Sequence, residues 1–163
     1  MTLPAHQPKM PTRRFGRTEL QLPVLSCGGM RYQQGWGDLE PEKIEAEKQA
    51  NLEATIHRAL ELGINHIETA RGYGSSEMQL GYILPKLDRD KLIVQTKVGP
   101  NEDPQEFLKT FEKSMAYLGL EYVDLFAFHG LNTADLVDQV LRSGGCMEVA
   151  RQLQKEGRVR HIG

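Results

Sequence analysis

Three short runs of this chain, Ile64 to Thr69, Lys91 to Val98 and Tyr122 to His129, have the character of buried strands, and each closes on polar or titratable residues. Amphipathic helical stretches separate them. Pro41 to Leu62 places Leu52, Ile56, Ala59, Leu60 and Leu62 on one side, and the stretch from Asn101–Pro104 to Leu118 does the same with Phe107, Leu108, Phe111, Met115 and Leu118. Strands without a clean inside–outside alternation, joined by helices, can satisfy both faces in a parallel sheet with helices packed outside. That alternation constrains the fold more than any other feature of the sequence.

The remaining elements extend the pattern. Thr12 to Phe15 and Leu20 to Leu22 flank Gly16-Arg17-Thr18-Glu19, a hairpin signal with glycine in the turn. Val24 to Gly28 reads as a short buried strand, followed by a loop to Leu39 that carries Gly35-Trp36-Gly37; Trp36 either lines a pocket or caps the core. A helix is expected near Ser76 to Leu84, ended by Pro85, and two more over Thr133 to Leu141 and Met147 to Glu156. Val159 to Ile162 begins a further strand. His57 belongs on a helix surface. The order is hairpin, then β and α alternating, in one α/β domain spanning residues 12–163.

Glu68, Lys97 and His129 each close one of three successive strands, and Tyr73 follows the first in a glycine-flanked loop. In a parallel βα array all strand C-termini lie on one rim, so these four side chains can converge. Period-two alternation puts Lys97, Gln95 and Ile93 on one face and Thr96, Val94 and Leu92 on the other, against the helices. Each residue alone is explained by packing, as a buried ion pair or a hydrogen-bonded histidine. The four in this order point to a site. Proton transfer coupled to hydride transfer at a carbonyl is the chemistry they allow. A phenol with a pKa near ~10 needs a neighbouring cation to exchange a proton at neutral pH. Lys97 supplies that charge, Glu68 holds Lys97, and His129 hydrogen-bonds the substrate oxygen.

The motif Glu68-Thr69-Ala70-x-x-Tyr73-Gly74-x-Ser76-Glu77 resembles the Asp-Thr-Ala-x-x-Tyr-Gly-x-Ser-Glu signature of the aldo-keto reductases. Phe15-Gly16-Arg17-Thr18 is similar to the family's N-terminal hairpin, Thr96-Lys97 to its lysine strand and Val123-Asp124-Leu125 through His129 to its histidine strand. Gly157-Arg158-Val159-Arg160-His161-Ile162-Gly163 is similar to the segment that introduces its fifth strand. The resemblance implies a (β/α)8 TIM barrel, NADP(H) as the hydride carrier, a small-molecule carbonyl substrate, and a catalytic tetrad of Glu68, Tyr73, Lys97 and His129 with tyrosine as general acid. It also implies cofactor contacts at Gly29, Met30 and Glu68.

The sequence departs from that family in two ways. The family's aspartate is Glu68, one methylene longer, which keeps the charge and changes the reach. The chain has 163 residues, whereas such barrels run to roughly 250. The expected architecture is therefore a truncated half barrel, with a hairpin, four βα units and the start of strand five. Open sheet edges of that kind invite self-association. Alternatives to a reductase are a non-catalytic barrel that binds or regulates, and an inactive fragment.

Charge and composition remove other classes. Twenty Lys and Arg against 22 Asp and Glu leave a net charge of −2, which gives no electrostatic case for nucleic acid or an anionic membrane surface. No window approaches a membrane-spanning helix. Met1 to Pro11 lacks an apolar segment and reads as a flexible arm rather than a signal peptide. Cys27 and Cys146 lack metal-ligand or redox spacing and are expected as reduced, buried thiols of a cytoplasmic protein. No His-x-His pair ends a strand, so a metal site built from His66, Glu68 and His129 is not expected.

Overall fold

The computed structural model describes residues 10–163. Its centre is a five-stranded parallel sheet whose spatial order follows the sequence: β3 (Cys27–Gly28), β4 (His66–Glu68), β5 (Ile93–Val98), β6 (Val123–Phe128) and β7 (Val159–Ile162). Each strand lies beside its predecessor, the winding that a right-handed βα barrel requires. The antiparallel hairpin of β1 (Thr12–Arg14) and β2 (Gln21–Pro23) stands apart from it. Leu22 of the hairpin packs against Ile93 and Leu125, near the N-terminal ends of the central strands. The hairpin therefore covers the rim opposite the strand ends that carry Glu68, Lys97 and His129.

The helices are α1 (Ala46–Glu61), α2 (Ser76–Gly81), α3 (Pro104–Leu118), α4 (Ala134–Leu141) and α5 (Cys146–Lys155). Local chemistry sets the ends of α3. Asp103 accepts a hydrogen bond from the Gln105 amide at 2.8 Å, Pro104 occupies the first turn, and Gly119 ends the helix at φ 64°. The apolar stripe of α3 then meets the sheet through aromatic rings. Phe107 stacks on Phe128 with centroids 5.4 Å apart, and Phe111 meets Phe126 edge-on at 5.5 Å. Val94, Thr96 and Val98 are fully buried on the helix side, while Gln95 and Lys97 are half-buried on the other. The period-two expectation for β5 holds.

Several expected boundaries shift. Val24 and Leu25 are 50% and 57% exposed, and the strand expected at Val24 to Gly28 contracts to Cys27–Gly28. The Val24 amide is bonded to the Pro11 carbonyl at 2.9 Å, so the start of this run belongs to the hairpin's connection. The helix expected from Pro41 begins at Ala46: Pro41–Lys43 makes one 3₁₀ turn, and Ile44 and Glu45 are extended. The helix expected to Leu84 stops at Gly81, with a separate 3₁₀ turn at Leu84–Lys86. Trp36 is 69% exposed and does not cap the core. Cys146 is buried as expected, whereas Cys27 is half-buried. Of the arm expected at residues 1–11, all but Met10 and Pro11 lies outside the described residues. No helix among the described residues is long and apolar enough to cross a membrane.

Candidate active site

The polar rim is built by three strand ends and one loop. Residues Thr69 to Ser75 leave β4 and turn over the sheet: the Thr69 amide bonds the Gln95 carbonyl and the Arg71 amide the Lys97 carbonyl, both at 2.9 Å. The Tyr73 amide then closes on the Ala70 carbonyl at 3.0 Å, which points the loop back across the rim. Two glycines make this possible. Gly72 packs so closely on His129 that an added Cβ would lie 3.3 Å from the imidazole. Gly74 has φ +53°, and a Cβ there would overlap the Gly35 carbonyl. Gly74→Ala is therefore expected to cost about 1–3 kcal/mol of stability through backbone strain alone, read as a fall in urea midpoint, with displacement of the Gly35 loop.

The four expected site residues come together. The Lys97 ammonium makes an ion pair with Glu68 Oε1 and donates to the Thr69 carbonyl at 3.1 Å. The longer glutamate side chain still reaches the lysine. Lys97 Nζ also stands 4.6 Å from the centroid of the Tyr73 ring. Tyr73 and His129 meet edge-to-face, with centroids 5.5 Å apart and planes at 89°. All four side chains are half-buried. Burial pushes the Lys97 ammonium down to about 8, against the pull of the Glu68 carboxylate beside it. Burial lowers His129 as well, with the Lys97 charge adding to the effect, so its imidazole is neutral at pH 7.

The two other expected residues differ from each other. Gly29 is buried, and a Cβ there would come within 2.8 Å of both the Glu68 carbonyl and Ser76 Oγ. Its lack of a side chain lets the loop after β3 approach the start of α2. Met30 is 38% exposed at the neighbouring position.

A second polar layer lies beneath the first on the same face of the sheet. His66, 5% exposed, bonds Ser26 Oγ through Nδ1 at 2.7 Å and Gln95 Oε1 through Nε2 at 3.1 Å. Burial depresses its pKa, which keeps the imidazole neutral. Among the described residues no cluster of three or more His, Cys, Asp or Glu side chains could hold a metal ion.

Sequence reasoning missed a charged chain behind the tyrosine. The fully buried Glu77 accepts hydrogen bonds from Thr96 and from Arg71, each at 2.6 Å. Arg71 also pairs with Asp38, which Lys113 meets from α3 at 2.5 Å. Asp38, upstream of α1, thus has a loop arginine and a lysine of α3 as its partners. The available signal was a carboxylate in the buried first turn of α2, which needs a cation or a donor.

Comparison with known proteins gives a consistent result. The profile of the aldo/keto reductase family matches residues 24–163. The NADH-specific methylglyoxal reductase of Escherichia coli (strain K12) is 29% identical over 130 residues, covering 67% of this chain and 39% of that protein. The L-galactose dehydrogenase of Arabidopsis thaliana is 30% identical over 164 residues, covering 95% of this chain and 48% of the relative. Among solved structures, the putative aldo-keto reductase PA4992 from Pseudomonas aeruginosa superposes with a TM-score of 0.74 at 25% identity, over 93% of this chain and 59% of that one. The chain thus spans less than half the length of these two curated relatives, and its parallel sheet is part of the (β/α)8 barrel of this fold. With the profile matched over most of its length and the four polar side chains gathered on the rim, the chain belongs to the aldo/keto reductase family.

Proposed function

We propose that the protein is an NADP(H)-dependent oxidoreductase that reduces the carbonyl of a small aldehyde or ketone, with Tyr73 as general acid. The observation that carries this reading is the placement of Lys97, paired with Glu68, over the Tyr73 ring, with the His129 edge against the same ring. A bound nicotinamide supplies the hydride to the carbonyl carbon. Tyr73 gives its phenolic proton to the carbonyl oxygen. The Lys97 charge stabilises the phenolate left behind, and Glu68 holds that charge in place. Neutral His129 donates an N–H to the same oxygen and fixes its approach. On the cofactor side, Met30 at the rim, the backbone at Gly29 and the Glu68 carboxylate are the residues of this chain that would face the ring.

Support for a nicotinamide comes from the donor set: a cation, a phenol and a neutral imidazole on the face of the sheet that the helices leave open. NADPH is the expected carrier, and NADH is the alternative that the methylglyoxal reductase exemplifies by its name. Fluorescence titration of the protein with each cofactor decides between them. Edge pairing through β3 and β7 is the route to self-association that this sheet offers, and sedimentation over a range of concentrations reads it. A cytoplasmic setting belongs to the same proposal and rests on the two unpaired thiols.

Lys97 is fully charged well below its depressed pKa of about 8 and loses the proton as pH rises through it. The reductive kcat/KM is expected to fall on the alkaline side of about 8, because the phenolate then loses its counter-charge. A pH–rate profile of the Lys97→Met variant should lack that limb while lying far below the wild-type curve.

A further inference from the structure

We propose that Arg71 is a positioning residue that fixes Tyr73 over Lys97 and ties the Trp36 loop to the same unit. The inference rests on the reading above for what is positioned, and on geometry for how. Arg71 lies two residues before Tyr73 and is nearly buried, with its side chain 13% exposed. Its guanidinium binds Glu77 at 2.6 Å, and the other oxygen of Glu77 takes the Thr96 hydroxyl at 2.6 Å. Thr96 precedes Lys97 on β5. The chain Thr96–Glu77–Arg71 therefore joins the strand that carries the lysine to the loop that carries the tyrosine, on the face opposite Lys97.

The same guanidinium continues outward. It pairs with Asp38 and lies 4.9 Å from the centroid of the Tyr117 ring on α3, while Lys113 holds Asp38 from the same helix. Asp38 ends a loop whose other anchors also fall on the Tyr73 loop. The Gln34 amide donates to Ser75 Oγ at 3.0 Å, and the Gly35 backbone packs on Gly74 with no room for a side chain between them. Between these anchors stands Trp36, exposed and the single tryptophan of the chain. A nearly buried arginine with a carboxylate on each side holds a planar fork that a lysine could not reproduce. Among the described residues, Arg71 is thus the side chain that contacts both loops and, through Glu77, the lysine strand.

Two readouts test this without turnover. With 13C-labelled lysine, the ε-methylene of Lys97 should show an upfield ring-current shift from Tyr73, assigned by its loss in Tyr73→Leu. Trp36 fluorescence anisotropy reports the loop. Arg71→Met is combined with Glu77→Gln so that no buried carboxylate is left unpaired. The expected result is a loss of at least half of the Lys97 ring-current shift together with a fall in Trp36 anisotropy, with an intact far-UV CD spectrum.

A double variant that keeps both signals at wild-type values would overturn the proposal. So would a loss of Trp36 restraint with an unchanged Lys97 shift, since Arg71 would then hold the loop and not the tyrosine. If the double variant does not fold, Asp38→Asn, which leaves the Arg71–Glu77–Thr96 chain whole, is read instead: a fall in Trp36 anisotropy is expected, and an unchanged value contradicts the tie. Failure of the wild-type protein to reduce any carbonyl leaves both readouts intact and bears on the proposed reaction alone.

Discussion

Replacing Tyr73 with phenylalanine should lower kcat/KM for aldehyde reduction by about 10²–10⁴-fold, the range for removing a positioned general acid, with little change in cofactor affinity. The phenyl ring keeps the edge-to-face contact with His129 and the packing beneath Lys97, so the fold should tolerate the change. The loss should fall on kcat, because the proton moves in the transition state and not in the bound ground state. Steady-state kinetics with one aldehyde and one ketone, alongside a cofactor titration, check both halves. A Tyr73→Phe variant as active as the wild type would remove tyrosine from the proton path and favour a binding role for the barrel.

The largest effect on stability is expected far from that rim, at Asp124. This carboxylate is 1% exposed and is satisfied from three directions. Arg89 donates at 2.6 Å, the Val94 amide at 2.9 Å and Arg160 at 2.9 Å. Both guanidiniums also lie over the Tyr122 ring, 4.0 and 4.2 Å from its centroid. One side chain thereby ties β5, β6, β7 and the turn before β5. Asp124→Ala leaves a largely buried arginine and a buried amide without their partner, which costs about 3–5 kcal/mol. Chemical denaturation reads this as a large drop in midpoint. Asp124→Leu combined with Arg89→Met should recover part of the loss, because it removes the buried pair of charges and leaves only the Val94 amide and the half-exposed Arg160 without their partner.

The contrast between these two residues shows what sequence could and could not reveal. Tyr73, Lys97, His129 and Glu68 were legible because each sits at a strand end or in the loop just beyond, and parallel strands bring such ends to one rim regardless of loop detail. The alternation in β5 likewise fixed which face Lys97 would take. Asp124 sits inside an apolar run, and its partners come from 35 and 36 residues away. Nothing local announces them. The same holds for Arg71, whose neighbours Glu77 and Asp38 are set by the fold of two loops and not by a helical or strand period. Val24 and Leu25 depart from expectation for a related reason: an apolar pair next to a hairpin reads as buried, whereas the connection from hairpin to sheet leaves both exposed.

Helix boundaries followed capping chemistry where a cap existed. Asp103, Pro104 and Gly119 bracket α3 as the sequence suggests. The start of α1 lacks a capping side chain, and the expected start at Pro41 came out five residues early, because an isolated 3₁₀ turn carries the same local signal as a helix start.

Deuterium transfer tests most directly whether this rim moves a hydride. The protein is incubated with an aldehyde and with NADPH, or separately NADH, carrying deuterium on the hydride-donating carbon of the nicotinamide ring, and the alcohol is analysed by mass spectrometry. One deuterium on the carbinol carbon is expected with at least one of the two cofactors, and a rate that collapses in both Tyr73→Phe and Lys97→Met. Alcohol formed without deuterium, or at the wild-type rate in both variants, would contradict the assignment of this rim as a hydride-transfer site.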